Sequence, residues 1–130
     1  MILVIDDDPA IREFISIVLN GLGFEVMQAA DAETGLRLFH LTHPQLIITD
    51  IILPDKDGFH YIHDIRKVNQ DIPIIAMTSN VHGRAKDYLA QSKRMGANEV
   101  MQKPLTIELV KQTVLELYPP KQGRTLEEVR

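Results

Sequence analysis

The chain alternates between two hydrophobic patterns, and this alternation predicts its secondary structure. Short runs of apolar, mostly β-branched residues are typical of strands buried on both faces of a parallel sheet. The predicted strands are residues 2–5, 24–29, 46–49, 72–77 and 100–101. Between these runs, apolar residues recur every three or four positions, which predicts amphipathic helices. Since right-handed crossovers join parallel strands, the pattern predicts an α/β fold with a doubly wound, five-stranded parallel sheet and helices on both faces.

Residues that favour helix ends bound the predicted helices. Pro9 suits the first turn of the first helix, and Gly21 and Gly23 end that helix. Asp31 is the expected N-cap of the second helix, which ends before Pro44. Apolar residues at helical spacing predict the other three helices within residues 59–68, 88–95 and 107–117. We therefore expect five consecutive βα units.

These five units account for residues 1–118, which we expect to form one domain. A chain of 130 residues, 45% of them hydrophobic, has room for one core of ordinary size. Residues 119–130 begin with two prolines and are mostly polar. We expect them to form a C-terminal tail or the start of a truncated linker.

Composition and charge exclude several classes of function. The net charge of −4 and the scattered lysines and arginines argue against nucleic-acid binding by this chain itself. The absence of cysteine excludes disulfides, thiolate metal sites and cysteine nucleophiles. No apolar run approaches the ~18–20 residues of a membrane span, and nothing resembles a signal sequence. We therefore expect a cytoplasmic protein without a membrane partner.

Polar side chains follow four of the predicted strands at the point where each strand ends. The first strand runs into Asp6–Asp8, the third into Asp50 and the fourth into Thr78, and the fifth is followed by Lys103. In an open parallel sheet, ligands bind in the crevice beyond the carboxyl ends of the strands. The sequence therefore predicts a site that contains carboxylates, one hydroxyl and one ammonium.

The chemistry of these groups points to a metal ion and a phosphoryl group. Carboxylates brought together in a dry crevice repel one another unless one is protonated or a cation neutralises them. Hard oxygen ligands favour Mg²⁺ or Mn²⁺, and Mg²⁺ usually accompanies phosphate. Lys103 and Thr78 would then contact the oxygens of a transferring phosphoryl group. Asp50 is the better acceptor because it stands alone, whereas Asp6 and Asp7 are adjacent and suit a metal.

In combination, these motifs resemble the receiver domains of two-component response regulators. The motifs are Ile-Asp-Asp-Asp-Pro at residues 5–9 with Arg12, Ile-Ile-Thr-Asp-Ile-Ile-Leu-Pro-Asp-Lys-Asp-Gly-Phe at 47–59, Ile-Ile-Ala-Met-Thr-Ser at 74–79, Gly96-Ala97 and Lys103-Pro104. The resemblance covers about residues 1–118. It implies a flavodoxin-like (βα)5 fold with strand order 2-1-3-4-5 and a cis peptide bond between Lys103 and Pro104.

The resemblance also implies a role for each site residue. Asp50 would be the phosphoacceptor, and Thr78 and Lys103 would bind the phosphoryl oxygens. The implied metal is Mg²⁺, for which Mn²⁺ can substitute, and Asp7 would be a direct ligand. The implied metal ligands are three carboxylates and one backbone carbonyl, namely those of Asp6, Asp7, Asp50 and Ile52.

A receiver of this kind is a signalling switch and not an enzyme with an external substrate. A sensor histidine kinase or a histidine phosphotransfer protein would supply the phosphoryl group, and the only catalysis would be self-directed phosphotransfer and autodephosphorylation. The surface of the fourth helix, fifth strand and fifth helix would then control a downstream protein target or effector. The same surface could mediate dimerisation.

Two departures from the family pattern affect how the switch would work. Receivers usually have Tyr or Phe three residues before the lysine, where this chain has Val100. A β-branched side chain cannot exchange buried and exposed rotamers with the same effect, so we expect the output to depend on movement of the fourth helix and the loop before it. That loop, which begins after Thr78, is longer than in the chemotaxis receiver, and we expect it to be mobile. Ser79 replaces the commoner alanine.

Several alternatives compete with this interpretation. Asp6–Asp8 could simply cap the first helix. A haloacid-dehalogenase-like phosphatase also uses a strand-end aspartate and Mg²⁺, but it requires a carboxylate two residues later, where this chain has Ile52. A third alternative is a degenerate interaction module that never takes up phosphate. The acidic stretch Asp55–Gly58 lacks the spacing of a calcium-binding EF-hand loop and is interpreted as a turn, and the five histidines are expected to be solvated.

Overall fold

The computed structural model describes residues 1–79 and 83–118. Within these residues, five strands and five helices alternate strictly along the chain. The elements are β1 Ile2–Ile5, α1 Pro9–Gly21, β2 Val26–Ala29, α2 Ala32–Thr42, β3 Leu46–Asp50, α3 Gly58–Val68, β4 Ile74–Thr78, α4 Ala85–Met95, β5 Glu99–Gln102 and α5 Ile107–Leu117. All strand pairs are parallel, and the order is β2-β1-β3-β4-β5. The predicted doubly wound fold and the implied strand order are both confirmed.

The two faces of the sheet carry two separate hydrophobic cores. Leu3 and Ile5 of β1 face one core, which contains residues of α2, α3 and α4. Ile2 and Val4 face the other core, which contains residues of α1 and α5. This division follows from the alternation of side chains along a strand. Full burial of one large aliphatic side chain contributes about 1.5–3 kcal/mol to stability. The two cores therefore fix the strands, and with them the positions of the residues at their carboxyl ends.

β2 and β4 each begin two residues later than predicted, and local hydrogen bonds explain both differences; β3 and β4 end one residue later, and β5 is one residue longer at each end. β2 begins at Val26 because the backbone N–H of Phe24 donates to Leu19 at the end of α1, and the Phe24 ring packs edge-on against Tyr118. β4 begins at Ile74 because the side chain of Asn69 accepts the backbone N–H of Ile72, which holds that apolar residue in a turn. Phe24 and Ile72 are thus apolar residues that lie just outside the strands.

Helix ends agree closely with the capping signals in the sequence. Pro9 is in the first turn of α1, and the side chain of Asp31 accepts the backbone N–H of Thr34 at the start of α2. Asp57 and Thr106 cap α3 and α5 in the same way. Each such cap contributes about 1 kcal/mol by satisfying backbone donors that have no partner within the helix.

Some predictions fall on parts of the chain that the structure does not describe. The C-terminal tail, residues 119–130, and the centre of the loop before α4, residues 80–82, lie outside the described residues. The proposed tail and the proposed mobile loop therefore stay predictions. None of the helices in the two described ranges combines the length and the apolar character that a membrane span requires.

Candidate functional site

Three carboxylates meet at the carboxyl edge of the sheet. β1 and β3 are neighbours in register, with Ile5 opposite Thr49, so Asp6 and Asp50 follow at the same level. Carboxylate oxygens of Asp6, Asp7 and Asp50 all lie within 4.8 Å of one another. We call these three residues the acidic cluster. Asp6 and Asp50 are buried whereas Asp7 is exposed, so the cluster is open to solvent on one side.

Asp8 has a different role from the two aspartates before it. Its side chain accepts the backbone N–H of Ala10 at 2.9 Å and caps α1. Its own backbone N–H donates to one oxygen of Asp6 at 2.9 Å, which leaves the other oxygen of Asp6 facing the site. The helix-capping alternative therefore applies to Asp8 and not to the whole acidic run.

Lys103 lies between the two buried carboxylates. Its ammonium donates to Asp6 at 2.7 Å and to Asp50 at 2.9 Å, and its side chain is only 16% exposed. The backbone N–H of Lys103 donates to the carbonyl of Thr78 at 2.7 Å, and the bond between Lys103 and Pro104 is cis, as the resemblance implies. The strand-end prediction correctly placed this lysine opposite the aspartates.

Burial and charge act against each other in this site. Burial raises the pKa of Asp6, the hydrogen bond from Lys103 offsets part of the rise, and the charge of Asp50 adds to it. Burial alone would lower the pKa of Lys103, but its hydrogen bonds to Asp6 and Asp50 outweigh burial and raise that pKa. Lys103 is therefore protonated at neutral pH. One ammonium faces three carboxylates, so a further cation would be stabilised here.

Thr78 ends β4 at the same edge of the sheet, and it is fully buried. Its hydroxyl donates to the carbonyl of Ser79 at 2.9 Å. The sequence correctly predicted the position of this side chain, and in this structure the hydroxyl is directed to its own neighbour. Rotation about one side-chain bond would release it for a ligand bound beside Asp50.

The loop that follows β3, residues 51–57, is called the site loop. The backbone N–H of Ile52 donates to a carboxylate oxygen of Asp50 at 3.2 Å, and the Ile52 side chain is 47% exposed. Gly58 closes the loop by donating to the carbonyl of Ile51 at 2.8 Å. A Cβ atom at Gly58 would lie 2.5 Å from the Asp50 carbonyl oxygen, so only glycine permits this approach.

Two residues near the site have contacts that sequence reasoning missed. Arg12 is part of the first motif, but the sequence alone indicated no role for it. Its guanidinium donates to the backbone carbonyl of Asp6 at 2.7 Å and to the side chain of Gln28 at 3.1 Å. Asp55 accepts two backbone N–H groups of α2. The spacing of Arg12 on α1 could have indicated that it faces β1, but nothing in the sequence marked the partner of Asp55.

Comparison with known protein families shows what these features belong to. The profile described as the response regulator receiver domain matches residues 2–115. The chain belongs to this family. The resemblance inferred from the motifs is therefore confirmed, and the acidic cluster lies at the carboxyl edge of a receiver fold.

Known relatives extend over longer chains than this receiver. It is 34% identical over 125 residues to the "Probable transcriptional regulator ycf27" of Cyanophora paradoxa, which covers 96% of this chain and 51% of that protein. It is 31% identical over 118 residues to "Sensor histidine kinase RcsC" of Escherichia coli (strain K12), which covers 91% of this chain and 12% of that protein. The receiver thus spans about half, or less, of the length of these relatives.

A solved structure supports the same assignment. The receiver domain of NtrX from Brucella abortus superposes with a TM-score of 0.84 at 26% sequence identity. The match covers 90% of this chain and 97% of the NtrX domain. The similarity therefore extends over most of the βα framework that positions the acidic cluster.

Proposed function

We propose that this receiver is a phosphorylation-controlled switch in which Asp50 accepts a phosphoryl group from the histidine of a partner kinase or phosphotransfer protein. The observation that carries the proposal is the position of Asp50. Asp50 is buried, with 5% of the residue exposed; its carboxylate contacts the ammonium of Lys103 and adjoins the carboxylates of Asp6 and of the exposed Asp7. A nucleophilic carboxylate needs this combination of access and charge compensation.

The donor atoms of the acidic cluster fit Mg²⁺, and Mn²⁺ is an acceptable substitute. Carboxylate and carbonyl oxygens are hard ligands, and Mg²⁺ keeps several waters while taking few ligands from protein. The proposed ligands are the carboxylates of the acidic cluster and the backbone carbonyl of Ile52. When bound, the ion would offset the negative charge of the cluster and of the incoming phosphoryl oxygens.

In the proposed phosphoryl transfer, Asp50 is the nucleophile, and Lys103 and Thr78 bind the phosphoryl oxygens. A carboxylate oxygen of Asp50 attacks phosphorus while the bond from phosphorus to the donor histidine nitrogen breaks, and the nitrogen keeps the electron pair. Lys103 already touches Asp50 and would bind an oxygen of the transferred group. The hydroxyl of Thr78 would turn from the Ser79 carbonyl toward another oxygen. The product is an acyl phosphate on Asp50.

The output of the proposed switch is a change at the surface of α4, β5 and α5 that a downstream protein detects. Val100 in β5 is half-buried and packs against the core that contains α4 residues, so a shift of α4 would reach this surface without an aromatic rotamer change. The chain would act in the cytoplasm and would have no external substrate. It would pass its signal by contact with its kinase and its target.

The phosphatase alternative is less well supported. Such an enzyme needs a general acid two residues after its nucleophile. The side chain at that position is Ile52, which is apolar and cannot transfer a proton. Asp6 and Asp7 do not replace it, because the proposal uses both as metal ligands and Asp6 is held by Lys103.

The test is transfer of phosphate to the purified chain. Incubation with Mg²⁺ and acetyl phosphate, or with a phosphohistidine donor, should increase its mass by one phosphoryl group, and the adduct should be labile to base. Asp50→Asn should abolish the increase. Asp57→Asn, a nearby aspartate that caps α3, is the matched control and should retain it. Phosphorylation of the Asp50→Asn variant at another residue, or steady hydrolysis of unrelated phosphomonoesters, would contradict the proposal.

A further inference from the structure

The site loop is held at both ends and at several points between them, including the Ile52 N–H on Asp50 and the Lys56 ammonium on Asp64. At its start, the backbone N–H of Ile51 donates to Met77 of β4 at 3.1 Å. At its end, Asp57 caps α3. In the middle, Leu53 is buried, and the carboxylate of Asp55 reaches across to another helix. The Asp55 contacts tie the segment that follows Ile52 to α2 and so restrict how far that segment can move.

Asp55 makes two hydrogen bonds with the first turn of α2. One carboxylate oxygen accepts the backbone N–H of Ala32 and the other accepts that of Glu33, each at 2.9 Å. These donors have no partner within the helix, and the positive end of the helix dipole favours a carboxylate there. The two hydrogen bonds lower the pKa of Asp55. The contact is thus a charge-assisted pair between the site loop and α2.

The same helix end has a second carboxylate that lies outside the site loop. Asp31 immediately precedes α2 and accepts the backbone N–H of Thr34 at 2.7 Å. A cap next to the helix in the chain is sufficient to begin α2. The additional bonds from Asp55, 23 positions from Ala32 in sequence, also fix where the loop lies relative to α2.

A further contact joins the same helices beneath the loop. The hydroxyl of Tyr61 on α3 donates to the carbonyl of Gly35 on α2 at 3.1 Å, and this tyrosine is 1% exposed. A Cβ atom at Gly35 would lie 3.3 Å from the Tyr61 ring, so the two helices pack closely here. α2 is therefore a fixed support against which Asp55 can hold the loop.

We propose that Asp55 is a positioning residue for the metal site, which ties the site loop to α2 and so sets the place of the Ile52 carbonyl relative to Asp7 and Asp50. This inference rests on the proposed function, because it concerns the same Mg²⁺ site. Residues that orient metal ligands without touching the metal change metal affinity when they are altered. Since coupling is reciprocal, Mg²⁺ binding should in turn protect the first turn of α2.

The experiment compares two aspartates that cap the same helix. Mg²⁺ is titrated into the full chain and into Asp55→Ala and Asp31→Ala variants, with calorimetry as the readout and urea unfolding as the measure of stability. Asp55→Ala should raise the Mg²⁺ dissociation constant about tenfold. Both variants should lower the urea midpoint to a similar extent, because each loses a cap of α2. Asp31→Ala should leave Mg²⁺ affinity unchanged. Hydrogen exchange of Ala32 and Glu33 should slow with Mg²⁺ in the wild type and in Asp31→Ala only.

The outcomes separate this inference from the proposed function. If the wild type binds no Mg²⁺, the proposed metal site is wrong and the inference falls with it. If the wild type binds Mg²⁺ and Asp55→Ala binds it equally well, Asp55 is only a helix cap and the inference alone is wrong. Equal loss of affinity in Asp31→Ala would also overturn it. Should Asp55→Ala fail to fold, Asp55→Asn, which keeps one acceptor oxygen, should show an intermediate loss, and unchanged affinity there would overturn the inference.

Discussion

Partly buried cations lie at both ends of the sheet, and two of them, Lys103 and Arg66, have partners of different charge. At the carboxyl end, Lys103 faces carboxylates that exceed it in charge. At the amino end, Arg66 on α3 donates to the carbonyl of Gly96 at 2.8 and 3.1 Å and to the side chain of Asn98 at 3.0 Å. All of these partners are neutral. The hydrogen bonds of Arg66 to neutral partners stabilise the fold. The excess negative charge of the acidic cluster instead suits the binding of a ligand.

The amino-end network is built into the backbone as well as the side chains. The Asn98 side chain also accepts the backbone N–H of Ile74, where β4 begins. Gly96 ends α4 with a φ of 122°, and a Cβ atom there would lie 2.9 Å from Arg66. Arg66 therefore joins α3, α4 and the start of β4 into one structural unit. Among residues 1–79 and 83–118, no hydrogen bond or ion pair holds the Asp7 side chain at the open side of the acidic cluster.

The largest expected effect is at the carboxyl end. Lys103→Ala should slow phosphorylation of Asp50 by acetyl phosphate about 100-fold or more, because a preorganised charge opposite the phosphoryl group is lost. The residual phosphorylated protein should not show the shift of α4 amide resonances that the wild type shows. Lys56→Ala is the matched control, since Lys56 pairs with Asp64 at the surface at 2.9 Å, and it should behave as the wild type. An unchanged α4 response in Lys103→Ala would contradict this role.

The second prediction concerns the amino end. Arg66→Met keeps most of the aliphatic length but removes all hydrogen bonds to Gly96 and Asn98. It should lower the free energy of unfolding by about 2 kcal/mol, as expected for loss of hydrogen bonds from a charged donor. Urea unfolding measures this change. Mg²⁺ affinity and phosphorylation rate should equal those of the wild type, and a loss of either would mean that the two ends of the sheet are not independent.

The smallest predicted effect has the opposite sign. Asp7→Asn removes one charge from the acidic cluster, where like charges repel, and should raise the free energy of unfolding by about 0.5–1 kcal/mol in the absence of metal. It should also abolish the additional stability that Mg²⁺ gives the wild type. Thermal unfolding with and without Mg²⁺ measures both changes. A destabilised Asp7→Asn would show that the cluster is arranged for the fold and not for a cation.

Much of the fold and the site could be predicted because both depend on simple periodic signals. β1 and β3 are buried on both faces and appear in the sequence as continuous apolar runs. The carboxyl ends of parallel strands lie at one edge of a sheet, so the sequence predicts that Asp6, Asp50 and Lys103 are close together. The strand order and the cis bond came only from the resemblance to the receiver family.

The features that were missed depend on contacts between distant segments. Asp55 stands in a Pro-Asp-Lys-Asp-Gly stretch that a turn explains, and its partner Ala32 lies in another βα unit. The extent of β4 was wrong because the side chain of Asn69, and not hydrophobicity, decides that Ile72 stays in a turn. Periodicity records burial and cannot show which polar side chain captures a given backbone donor.

α5 ends at the amino edge of the sheet, opposite the acidic cluster. Tyr118 packs against Phe24 and its hydroxyl donates to Gln45 at 2.6 Å, immediately before β3 begins. The end of α5 is therefore one strand length, roughly 15 Å, from the acidic cluster. A chemical change at the cluster would act on the surroundings of Tyr118 only as a displacement transmitted through the packed helices.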